Sequence, residues 1–166
     1  MKTKAKPAQQ EDPEEQLASF IAKFDPAMVR LIRAVRAALR KRLPTANEIV
    51  YDNYNFFVIG YCTTERTSEC ILSMAANAKG IVLSFYYGAT LPDPGGILQG
   101  SGSQNRFIRL ARAEDLAKTE NEALIAAAVR QAKTPLAAKG NGRLIIRSIS
   151  AKQRPRRLAT KPNATS

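Results

Sequence analysis

Histidine and tryptophan are absent from the chain, and cysteine occurs twice, at Cys62 and Cys70. Without histidine no Ser-His-Asp or Cys-His arrangement is possible, nor any zinc site built on imidazole. Two thiols cannot make a four-cysteine metal centre. They sit in strand-like runs either side of a turn, so a cross-strand disulfide is conceivable; two reduced, buried thiols acting as small apolar residues is the simpler expectation. No stretch approaches the roughly 18 uninterrupted apolar residues of a membrane span, so no membrane association is expected. Residues 1–10 are basic and polar with no apolar run, unlike a secretory signal, and the cytoplasm is the expected compartment. Acid is scarce too: 14 Asp and Glu face 26 Lys and Arg, a net charge of +12. Residues 16–150 alone carry 18 basic and 10 acidic side chains, a net of +8.

What is present reads as one domain. Residues 1–11 and 151–166 are rich in Pro, Ala, Thr, Lys and Arg and poor in large apolar residues. They read as a disordered basic head and tail around a domain at 12–150. Asp12-Pro13, with Glu15 at capping-box spacing, opens a helix whose Leu17, Phe20, Ile21 and Phe24 recur at helical spacing. Asp25-Pro26 repeats the signal and opens a second helix, which Pro44 stops near Leu43. Its Met28, Leu31, Ile32, Val35, Leu39 and Leu43 fall in one arc; Arg30, Arg33, Arg36, Arg40 and Lys41 fall in the other.

From Asn47 the period becomes strand-like, with runs at 48–51, 54–62, 68–75, 81–87, 107–110 and 143–149. Short turns between several of them favour antiparallel hairpins. Thr119 and Glu122 have capping-box spacing before a third helix carrying Leu124, Ile125, Ala128 and Val129. The expected fold is α+β: a single antiparallel sheet of about five to six strands with helices on one face.

Three features invite a functional reading. The loop at 91–103 holds Gly95, Gly96, Gly100 and Gly102 and could form an anion-binding nest beside Ser103 and Arg106. It lacks the lysine and following helix of a P-loop, and its glycines equally fit a structural loop. Asp52, Asn53, Tyr54 and Asn55 interrupt a strand region where Asp and Asn are disfavoured. They either line a pocket mouth with Tyr51 or form a turn. The basic helix face and the tail could contact phosphates weakly and without sequence preference. Among carboxylates, Asp52, Asp93, Glu114 and Asp115 offer no evident acid–base pair.

The helix ended by Pro44, the block Glu48-Ile49-Val50-Tyr51-Asp52-Asn53-Tyr54-Asn55, Thr64-Glu65-Arg66-Thr67-Ser68, and Gly88-Ala89 followed by Leu91-Pro92-Asp93-Pro94 and Gly100-Ser101-Gly102 resemble the YdhG-like superfamily. The resemblance covers roughly residues 24–135 and implies a sheet covered by helices, with no established reaction. Some similar proteins look frataxin-like and are linked to iron delivery, a role that relies on acidic helix surface; here only Glu11, Asp12, Glu14 and Glu15 cluster. The expectation is a non-catalytic domain, with no cofactor and no metal, binding a small molecule, an anion among the candidates. Its expected ligand-binding residues are Tyr51, Asp52, Asn53, Tyr54, Asn55 and Arg106. Iron handling and weak nucleic-acid contact are the alternatives.

Overall fold

A computed structural model of the chain describes residues 11–159. The expected head, apart from Glu11, and residues 160–166 of the expected tail lie outside them. The elements run α1 (Pro13–Ile21), α2 (Pro26–Arg42), β1 (Asn47–Asp52), β2 (Phe57–Cys62), β3 (Cys70–Asn77), β4 (Gly80–Phe85), β5 (Arg106–Leu110), α3 (Thr119–Gln131) and β6 (Leu144–Ile149). They form an α+β domain around one six-stranded sheet in the order β5-β4-β3-β2-β1-β6.

Strands β1 to β5 pair as successive antiparallel neighbours. The connections from β1 through β4 are too short for a crossover, while the long connection at 86–105, which carries the 91–103 loop, returns the chain antiparallel beside β4. The expected all-antiparallel sheet is corrected at its far edge. Strand β6 lies parallel to β1, with Glu48 opposite Leu144 and Ile49 opposite Ile145. The reason is its approach: the chain leaves β5, runs through α3, and returns to the opposite edge by a long connection rather than a hairpin.

The proline-led starts of α1 and α2 form as the sequence indicates, and the Asp12 side chain accepts from the Glu14 N–H. Asp25 makes no such bond. Lys118 takes the cap position expected for Thr119, which is the first helical residue. Ile32, Val35, Leu39 and Leu43 of the α2 stripe are buried, with Met28 and Leu31 at its margin. They share one core with Phe57, Ile59, Leu72, Met74, Leu83 and Phe85 from alternate strand positions.

The loop at 91–103 is ordered by its own polar groups. Both Asp93 carboxylate oxygens accept backbone N–H bonds, from Ile97 and Leu98, at 3.0 Å each. Gln99 exchanges backbone hydrogen bonds of 2.8 and 3.0 Å with Phe107, covering part of the β5 edge. Arg106 Nη1 donates to the carbonyls of Gly102 and Asn105, tying the loop to the strand. Close packing fixes one glycine here: a Cβ on Gly88 would stand 2.6 Å from Arg106 Cβ.

Candidate functional site

Strand alternation sorts β1 into two chemistries. Ile49 and Tyr51 face away from the helices, and Glu48, Val50 and Asp52 face them. Two carboxylates, at positions four apart and about 13 Å along the strand, are thus buried under the helices, at 5% and 0% exposure. Each is matched by cations. Arg36 Nε and Nη2 fork onto the two oxygens of Glu48 at 2.9 Å each, while Nη1 and Nη2 reach Glu14 at 3.0 and 2.8 Å. Tyr61 donates its hydroxyl to Glu48 at 3.1 Å. Burial opposes the Arg36 charge, but its hydrogen bonds to Glu48 and Glu14 outweigh that and raise its pKa further. Burial, reinforced by the Glu48 charge, pushes the Tyr61 hydroxyl well above its usual value.

Asp52 receives Lys23 Nζ at 2.6 Å on one oxygen and Arg156 Nη2 at 2.9 Å on the other. Burial raises the pKa of this carboxyl, and the bonds from Lys23, Gln153 and Arg156 overturn that to leave it lowered. Every strong partner of Asp52 is therefore supplied by the chain itself. The expected pocket at 51–55 does not assemble. Asn53 N–H bonds the Phe56 carbonyl at 2.9 Å, so Asn53, Tyr54 and Asn55 form the turn between β1 and β2. Tyr51 points to the opposite face, where its hydroxyl meets Thr67 Oγ1 at 2.6 Å. Arg106 stands on β5, four strand spacings or about 19 Å across the sheet from β1, with its guanidinium turned to loop carbonyls.

The tail is corrected as well. Residues 151–159 pack back on the domain, and Arg156 is 4% exposed. A buried carboxylate inside the sheet attracts the basic segment that a charge-rich composition marks as disordered. The basic ridge is divided. Arg36 is spent on Glu14 and Glu48, and Arg40 reaches Glu48 at 3.6 Å. Arg30, Arg33 and Lys41 stay exposed with no ion pair among the described residues. Also among the described residues, no group of three or more Cys, Asp or Glu side chains gathers as a metal site, and no helix is long and apolar enough to cross a membrane.

The open face of the sheet carries a feature that the sequence reading missed. Its strand register places Val58, Ala75, Val82 and Arg109 in one row across β2 to β5, and Gly60, Ser73, Ser84 and Phe107 in the next. On β3 and β4 both rows are made of short side chains, so the surface sinks beside the taller Arg109 and Phe107 of β5. The resulting trough has a volume of about 660 Å³ and extends to Phe56, Asn77, Lys79 and Asn105. No carboxylate lines it, and two cations do. Arg109 lies over the Phe107 ring at 5.9 Å, and Ser84 donates to Asn105 Oδ1 at 2.6 Å. The signal was present in sequence as Ser73, Ala75, Val82 and Ser84, modest side chains alternating with Leu72, Met74, Leu83 and Phe85.

Toward the other end of β3, a smaller hollow of about 430 Å³ lies between α3 and the β2–β3 connection. Its polar groups are largely paired with each other. Tyr87 donates to the Ser68 carbonyl at 2.8 Å, and Gln131 Nε2 and Thr90 Oγ1 both donate to the Tyr87 carbonyl. Beside it, Cys62 and Cys70 are cross-strand partners and both free. The hydrogen bond to Cys62, then burial, raises the Cys70 thiol well above its ordinary pKa, which makes it a poor nucleophile. In comparisons with family models, curated proteins and solved structures, nothing matches this chain, so its function is read from this geometry.

Proposed function

We propose that the chain is a non-catalytic binding domain for a small organic anion with a flat apolar body, held in the trough on the open sheet face. The observation that carries this reading is the double row of short side chains, ended by Phe107 and Arg109 and lined by no carboxylate. A volume of about 660 Å³ falls within the roughly 300–1,000 Å³ of small-molecule sites. Val58, Ala75 and Val82 offer an apolar floor. Phe107 and Phe56 offer ring faces or edges, Arg109 and Lys79 offer charge, and Ser73 and Asn77 offer hydrogen bonds. The reading keeps the anionic ligand expected from sequence and moves its site from β1 to β3, β4 and β5.

The test is a thermal-shift screen with aromatic and conjugated carboxylates and phosphates, each beside its neutral analogue. At least one anion should raise the melting temperature while its neutral analogue does not. Arg109→Ala should weaken that ligand by about 10- to 100-fold, the worth of one charge-assisted hydrogen bond. Ala75→Phe should fill the trough and abolish the shift without lowering the stability of the free protein, because Ala75 faces away from the core. The reading fails if no anion moves the transition, or if the shift survives Ala75→Phe.

The exposed trio Arg30, Arg33 and Lys41 supports a second reading, weak and salt-sensitive nucleic-acid contact. Replacing all three by Ala should flatten the log K against log salt slope for duplex DNA by up to about 2.7, at ~0.9 per phosphate neutralised. An unchanged slope removes these residues from any such contact.

A further inference from the structure

The segment at 150–158 has an unusual balance. It contains no helix or strand, and of its side chains only Arg156 is buried. Leu158, its one large apolar residue, is 59% exposed. The backbone attachments are few: Ser150 N–H to the Asp52 carbonyl and Arg154 N–H to the Tyr54 carbonyl, both at 2.9 Å. The outermost ties are long, Arg157 Nε to the Lys23 carbonyl at 3.3 Å and Leu158 N–H to Asp25 Oδ2 at 3.4 Å. Gln153 adds side-chain bonds, Nε2 to the Asp52 carbonyl at 2.9 Å and Oε1 from Lys23 Nζ at 3.0 Å, and Arg154 lies over the Tyr54 ring at 5.5 Å. The Arg156 guanidinium is the segment's one buried side-chain anchor.

The place that guanidinium occupies is built from two separate parts of the chain, the end of β1 at Asp52 and Asn53 and the residue Phe24 after α1. Asp52 Oδ1 accepts from Arg156 Nη2 at 2.9 Å, and the Asn53 carbonyl accepts from the same nitrogen at 2.5 Å. The Phe24 ring lies against it, 6.0 Å from ring centroid to Cζ. The Arg156 side chain is 2% exposed, yet Nε and Nη1 are buried without a protein partner among the described residues. A guanidinium that meets a carboxylate, a carbonyl and a ring is well recognised. One that leaves two buried donors unpaired is also held below its full bonding capacity.

We propose that Asp52, the Asn53 carbonyl and Phe24 form a guanidinium-recognition socket, and that residues 150–158 are a detachable latch that plugs it with Arg156. Opening the latch breaks one buried anchor and a few exposed or half-buried hydrogen bonds, with no helix or strand lost, so it occurs below the free energy of global unfolding. The opened socket presents an ionised carboxylate, flanked by Lys23 on its other oxygen, to any arginine-type side chain of matching shape. The latch is thus an internal ligand, and the socket favours guanidinium because the face of the Phe24 ring lies against a flat cation while Nη2 alone reaches both Asp52 and Asn53.

The experiment uses the full chain with Arg156→Ala and methylguanidinium as the probe. The variant should melt about 5–10 °C lower, the scale of a buried pair losing one member while a second cation remains. Millimolar methylguanidinium should restore part of that loss saturably, and tetramethylammonium at equal ionic strength should not. The wild-type protein should show no such rise. Equal effects of the two cations, or a wild-type melting temperature in the variant, overturn the proposal. If the variant does not fold, amide hydrogen exchange of the wild-type chain decides. The Ser150, Arg154 and Leu158 amides should exchange at least about 100-fold faster than the amides paired between β1 and β2, as local opening requires. Equal protection makes the segment a fixed part of the fold and overturns the latch.

Discussion

Arg36→Met is the sharpest perturbation of the helix–sheet junction. The guanidinium is 14% exposed in its side chain and the Glu48 carboxylate 7%, so the pair is close to dry. Removing one member of such a pair costs about 3–5 kcal/mol, because the other charge stays buried. Two groups soften the loss here: Tyr61 still donates to Glu48, and Arg40 Nε stands 3.6 Å away. Arg40 is 55% exposed in its side chain, so its compensation is screened. The expected cost is therefore about 2–4 kcal/mol, read by urea unfolding with far-UV circular dichroism. The double variant Arg36→Met/Glu48→Leu removes both charges and should recover to within ~1 kcal/mol of the wild type. Arg33→Ala, on the exposed face of the same helix, should change stability by less than ~0.5 kcal/mol. A cost below ~1 kcal/mol for Arg36→Met would make the pair equivalent to a surface ion pair. Additivity in the double variant would show that the two side chains are not coupled. Either result refutes the argument that the ridge expected at 30–41 is divided between structure and surface.

Three further outcomes follow from the same geometry. The lowered pKa of Asp52 means that the folded state binds fewer protons than the unfolded chain near pH 4; the stability lost in Asp52→Asn relative to wild type should be full above about pH 5 and shrink as pH falls below the usual carboxylate range, measured by denaturation at stepped pH. Gly88→Ala places a Cβ against Arg106 Cβ and backbone nitrogen, at 2.6 and 2.8 Å, and should lower stability by about 1–3 kcal/mol, with near-wild-type stability refuting the close packing. Cys62 and Cys70, at 1% and 7% exposure, should resist a thiol-specific chromogenic reagent until the protein unfolds, and rapid labelling of the native chain would contradict their burial.

Much of the fold is legible because local signals and packing agree. The proline-led starts at Pro13 and Pro26, the stop at Pro44 and the period-two runs all reflect short-range sterics or one buried face, and each survives folding. The parallel seat of β6 is not legible in this way. Nothing within 144–149 encodes which edge it joins; that depends on where α3 delivers the chain. The capping box at Thr119 fails for a related reason. Lys118, not Thr119, holds the cap position, and the nearby buried carboxylate of Asp115 instead accepts the Ala111 and Arg112 N–H groups at 2.8 and 3.2 Å.

The site is legible only in its chemistry. Asp52 stood out as a polar residue in a strand, and the structure gives that oddity a cause 104 residues away, in the guanidinium of Arg156. A composition rule sees the tail as charge without apolar mass and assigns it to solvent. It has no means of seeing that an apolar layer already contains an anion. The trough fails to announce itself for the opposite reason. Ser73, Ala75, Val82 and Ser84 are individually unremarkable, and they become a surface only when the register aligns four strands. The contrast explains why β1 carries the visible irregularity in the sequence. A buried charge disturbs the local pattern, whereas a trough made by withholding bulk leaves the alternation of a half-buried strand intact. In a sheet with helices on one side, a run of short side chains at the outward positions of neighbouring strands is the sequence mark of such a trough, and a single polar interruption is the mark of a buried charge and its partner.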